Sequence, residues 1–80
     1  MKVPAIKRLV ESQTLQTLVE AEEALLDERQ PSFEVEGSDE GEQLTHVFAA
    51  IWILNHMKDH NVEFTAALRE YTKKVRVSIS

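Results

Sequence analysis

Glu42 and His46 lie four residues apart, a spacing that places two side chains on one face of a helix. A carboxylate beside an imidazole carries chemistry. It can orient the ring, move a proton in general acid–base work, or support a metal ligand from behind. The plainer use of the same pair is a contact on a helix surface. His56 and His60 repeat the spacing further along, and two histidines one turn apart form half of a zinc site. The sequence supplies no obvious third ligand for them. Asp59 is the one close carboxylate and sits beside His60, and the Glu of the H-E-x-x-H metalloprotease pattern is missing. Exposed polar residues at a helix end explain these two histidines equally well. A metal site, if built, would rest on Glu42 and His46, with several subunits bringing their pairs together.

The remaining chemistry-bearing residues form no constellation. Ser12, Ser32 and Ser38 have neither a nucleophile elbow nor triad spacing to a histidine. Gly37-x-x-x-Gly41 has the form of a membrane packing motif, but it falls in an acidic loop. There is no phosphate-binding glycine loop. With no cysteine, disulfides and thiolate metal sites are ruled out. No catalytic residue and no cofactor are expected.

Four helices must position these side chains. A short helix is expected to start at Pro4, because proline suits the first helical position, where its missing N–H costs nothing, and Ile6, Leu9 and Val10 give it an apolar face up to Ser12–Gln13. Thr14 caps a second helix. Leu15, Leu18, Val19, Leu25 and Leu26 follow at helical spacing, and Pro31 closes the helix at or before Gln30. Residues 31–38 read as an extended connector that docks Phe33 and Val35 and turns at Gly37. Asp39-x-x-Glu42 has the form of a capping box and opens a third helix over 40–59. Asn61 is expected to cap a fourth, whose stripe is Phe64, Leu68, Tyr71, Val75 and Ile79. Residues 75–80 also alternate with period two, so a strand pairing with 33–36 competes with the helix there. The longer stripe favours the helix.

The third helix holds the most unusual segment, Val47-Phe-Ala-Ala-Ile-Trp-Ile-Leu54. Eight apolar residues exceed two turns, so the helix is apolar on every side. That run is far shorter than the roughly 20 residues needed to span a bilayer, and Asn55, His56, Lys58, Asp59 and His60 end it. Trp52 shares a side with Thr45, His56 and Asp59. It therefore needs cover from elsewhere, and Trp is favoured at interface centres. Phe48, Ile51, Trp52, Leu54 and Tyr71 are the expected interface residues.

An 80-residue chain supports one helical domain, 1–80, and buries too little surface to be robust alone; oligomerisation commonly helps. The net charge of −5 is unevenly spread: residues 1–10 carry +3, residues 11–42 carry −10 and residues 43–80 carry +2. Nucleic acid is an unexpected partner, because phosphate contact needs a concentrated basic face. The simplest use of the asymmetry is packing of the basic ends near the acidic middle, within one chain or between chains. Charges at Lys2, Lys7 and Arg8 do not suit a signal peptide, so a soluble cytoplasmic protein without membrane contact is expected.

Asp39-Glu-Gly-Glu-Gln-Leu-Thr-His46, Ala49-Ala-Ile-Trp-Ile-Leu54, Ala67-Leu-Arg-Glu-Tyr-Thr72 and Glu22-Glu-Ala-Leu-Leu26 resemble a family of short, uncharacterised bacterial proteins along essentially the whole chain. The resemblance implies no established activity. It implies relatives encoded near thioredoxin- and peroxiredoxin-like genes, where a chain without cysteine would be a non-catalytic accessory. The sequence thus reads as an all-α, four-helix domain with a short first and a long apolar third helix, dimerising through helix three. Its expected role is a non-catalytic interaction or regulatory module. The alternative is a small metal-binding protein or enzyme with the Glu42/His46 pair at a subunit interface.

Overall fold

Each helix starts and stops where local backbone chemistry dictates. In a computed structural model, which describes residues 2–79 and their side chains up to Val75, the elements are α1 (Val3–Ser12), α2 (Leu15–Leu26), α3 (Glu40–His60) and α4 (Phe64–Ile79). Among the described residues there is no strand. Residues 75–79 continue α4, so the helical stripe prevails over the period-two pattern; Ser80 lies outside the described residues.

α1 begins at Val3, one residue before the expected start at Pro4, and Pro4 still sits in the first turn, where its missing N–H needs no partner. The Lys2 carbonyl accepts the Ala5 and Ile6 N–H groups where a capping side chain is lacking. Thr14 and Thr17 cap α2 reciprocally: each hydroxyl accepts the other's backbone N–H, at 3.2 and 3.0 Å. This satisfies two of the first-turn donors that a helix leaves unpaired. α2 ends at Leu26, well before Pro31. Glu28 turns left-handed (φ 59°), its N–H reaches the Leu25 carbonyl, and the Arg29 N–H reaches that of Ala24. That is the Schellman arrangement, with Glu where Gly is usual.

α3 opens on Asp39, whose carboxylate accepts the Glu42 N–H at 2.8 Å. The return half of the expected box is shifted by one residue, since Glu42 accepts from the Ser38 N–H at 2.8 Å. Asn61 departs from its expected role. It adopts φ 51° and ψ 50° and closes α3, with the Val62 N–H on the Met57 carbonyl. Asn tolerates the left-handed region almost as Gly does, and here the C-terminal use wins over N-capping of α4.

α1, α2 and α4 all pack chiefly on α3, which makes α3 the axis of the fold. The core holds Ile6 and Leu9 from α1, Leu18, Ala21 and Leu25 from α2, Val47, Ala49, Ala50 and Ile53 from α3, and Ala67 from α4. The alanines let neighbouring helices approach closely. Val35 of the connector is buried in the same cluster and Phe33 packs against it, as the docking of 31–38 requires. The basic start meets the acidic middle within the chain: Arg8 forms a bidentate pair with Glu36.

Gly37 makes the turn into α3 at φ +153°, and a Cβ there would lie 2.7 Å from Gln43 Cγ and 2.8 Å from its backbone N. The two special backbone positions give opposite expectations. Gly37→Ala should destabilise by about 1–3 kcal/mol, from strain plus displacement of α3. Glu28→Gly should stabilise by about 0.5–1 kcal/mol by relieving the left-handed position. Chemical denaturation of both variants checks this, and a neutral Gly37→Ala would refute the close approach.

Candidate functional site

His46 is the one buried polar side chain among the described residues, at 0% exposure. Its position nearly two turns into α3 puts it on the inward face with Val47, Ala50 and Ile53. Both ring nitrogens are occupied by backbone. Nε2 accepts the Lys2 N–H at 3.0 Å, and Nδ1 lies 2.7 Å from the Glu36 carbonyl oxygen. A backbone amide can only donate, so Nε2 is the acceptor and Nδ1–H the donor. The imidazole is a neutral bridge that ties the start of α1 and the end of the connector to α3.

Glu42 shares the His46 side of α3 without bonding to the ring. Its carboxylate faces the Ser38 N–H, and that bond, ahead of the nearby positive groups, holds it below the usual carboxylate range. Glu36 is likewise held low, chiefly by its hydrogen bonds from Arg8. The expected Glu42/His46 dyad is therefore two separate devices, one capping a helix and one bridging backbone. For His46 to ligate a metal it would have to surrender a backbone bond. Among the described residues no group of three or more His, Asp or Glu side chains is placed to hold a metal ion.

A second cluster lies where α3 meets α4. Trp52 stacks on His56 with ring centroids 4.8 Å apart, touches Tyr71 at 5.5 Å, and His56 in turn meets His60 at 4.3 Å. Trp52, His56 and Tyr71 are half-buried and His60 is exposed. Desolvation pushes the Tyr71 phenol up. The cover that Trp52 needs thus comes in part from its own chain.

The other expected interface residues divide by helical angle. Phe48 is 44% exposed, and Ile51 and Leu54 are half-buried. At about 100° per residue, Ile51, Phe48 and Trp52 share an outer arc of roughly 100°, whereas Leu54 lies about 160° round from Trp52. Spacing alone signalled that arc; the Lys2 and Glu36 partners of His46, 44 and 10 residues away in sequence, had no local signal.

The open depressions among the described residues include one lined by Arg8, Leu9, Ser12, Gln13, Phe33 and Glu36 and another by Thr65, Leu68, Arg69, Thr72 and Lys73. Neither contains a histidine or a nucleophile–base pair. No helix is long and apolar enough to cross a membrane among the described residues.

The chain matches a family of unknown function (DUF6952) over residues 1–80 and belongs to that family. No curated protein and no solved structure matches it.

Two outcomes follow. His46→Leu keeps the side-chain bulk but strands the Lys2 N–H and the Glu36 carbonyl, and should cost about 2–5 kcal/mol of unfolding free energy. A loss near zero would mean that the bridge is dispensable. In acid, Glu36 and Glu42 have folded-state values below their ordinary 4.5. Their stabilising contribution is complete above that value and is lost as pH falls through the lower folded values. Glu36→Gln should flatten the fall in stability below pH 4.5; an unaltered slope would assign the acid sensitivity elsewhere.

Proposed function

We propose that this chain is a non-catalytic protein-interaction or regulatory module that self-associates through α3 in the cytoplasm. The observation that carries the reading is the outer arc of α3, where Phe48 is 44% exposed between half-buried Ile51 and Trp52. Large apolar side chains grouped on one surface favour a protein partner, and an 80-residue domain gains stability by covering them. The chemistry-bearing side chains support the same reading, because Glu42 and His46 are spent on backbone groups. The absence of cysteine suits a reducing compartment. The resemblance to proteins encoded beside thioredoxin- and peroxiredoxin-like genes gives the module a setting, as an accessory whose partner supplies the thiol chemistry.

Sedimentation velocity on the wild-type chain and on Trp52→Glu tests self-association. The wild type should sediment as a dimer, and the variant as a monomer that keeps its helical circular dichroism. Global unfolding of the variant would place Trp52 in the monomer core, and an unchanged dimer would remove Trp52 from the interface.

A further inference from the structure

We propose that the outer arc of α3 is built to pair antiparallel with α3 of a second copy, with Glu40 of each chain meeting Lys58 of the other. This deepens the self-association reading and rests on it. Along the solvent side of α3, Leu44, Phe48, Ile51 and Asn55 recur at intervals of four, three and four, the spacing of a helix–helix seam. Phe48 and Asn55 are exposed, while Leu44 and Ile51 pack partly against the chain's own core and keep only an outer edge open. The buried residues His46, Ala49, Ala50 and Ile53 occupy the opposite side, where the chain's own helices pack, and buried Val47 borders the seam about 40° round from Ile51.

Charge selects the occupant and its direction. The first turn of α3 carries Glu40 and Glu42, and its last turn carries Lys58, with Asp59 on a different face of the helix. Glu40 and Lys58 are separated by about five full turns, so they lie on one line along the same edge of the seam. Neither has an ion-pair partner among the described residues. A two-fold axis beside Phe48 and Ile51 sets Phe48 against Ile51 of the second copy, Leu44 against Asn55, and Glu40 against Lys58 at both ends. The 21-residue helix is about 30 Å long, so the two Glu40–Lys58 contacts lie near opposite ends of the pair. A parallel pair would instead stack glutamate on glutamate and lysine on lysine, and would align the helix dipoles unfavourably.

The test is a charge-reversal cycle read by sedimentation equilibrium at low salt. Glu40→Lys and Lys58→Glu should each weaken dimerisation about three- to tenfold, and the double variant should recover most of that loss. Unchanged single variants, or a double variant weaker than either, would overturn the antiparallel pairing. Because the chain has no cysteine, cross-linking gives a second reading. Oxidising a mixture of Leu44→Cys and Asn55→Cys chains should join the two variants to each other. Efficient self-linking of Asn55→Cys would show a parallel pair and overturn the proposal. Phe48→Glu should abolish the dimer with helix content kept, and a surviving dimer would mean that another surface is used. A wild-type chain that stays monomeric at its highest soluble concentration would sink the self-association reading as a whole, an outcome distinct from failure of the cycle.

Discussion

A single imidazole sets the frame of this molecule. The ring of His46 joins three stretches that lie far apart in the chain: the residue before α1, the last residues of the connector, and α3 itself. Burying a polar ring is costly unless every hydrogen-bonding atom finds a partner. Here both nitrogens do, and no described buried side-chain nitrogen or oxygen is left unpaired. The cost of burial becomes specificity, because the ring fits only where an amide N–H and a carbonyl oxygen arrive together from different segments. Hydrophobic contact alone would let α1 slide along α3. Two directional bonds fix where α1 begins, and the exposed Arg8–Glu36 pair holds the same connector from the other side.

Once His46 points inward, the rotation of α3 is settled. Val47, Ala49, Ala50 and Ile53 must then face the other helices, and all four are fully buried. Phe48 must face away. An apolar run with no polar side cannot state which of its faces is the core. The histidine breaks that ambiguity, as a buried polar residue does when it specifies register in a helix pair. The exposure of Phe48 is thus a consequence of the way in which the monomer satisfies one ring.

Much of this frame is legible in the residues themselves. Thr14 and Asp39 mark helix starts because a short oxygen-bearing side chain can meet a first-turn amide, and the spacing of Phe64, Leu68 and Tyr71 marks α4 because helical period outweighs a brief alternation. Asn61 misleads because the same residue type serves both N-caps and left-handed C-caps, and only the path of the following chain separates the two. Glu42 and His46 mislead differently. Spacing places them on one side of a helix, but it cannot show that Glu42 turns back to Ser38 while His46 turns inward to Lys2 and Glu36. Local periodicity reveals which side chains share a face; the partners across the fold are a tertiary fact.

The same distinction bears on what α3 presents to solvent. A helix free to rotate about its axis would offer a shifting mixture of Phe48, Leu54 and Trp52, which is a poor basis for recognition because each partner geometry would have to be selected from many. α3 is pinned near its start by the His46 bonds and near its end by the Trp52–His56–Tyr71 contacts with α4. The arc containing Phe48 and Ile51 is therefore presented in one orientation, with Glu40 and Lys58 at fixed positions beside it. Preorganisation of that kind lowers the ordering cost of association. It gives a structural reason for so small a domain to keep a bulky aromatic side chain on the outside of its central helix.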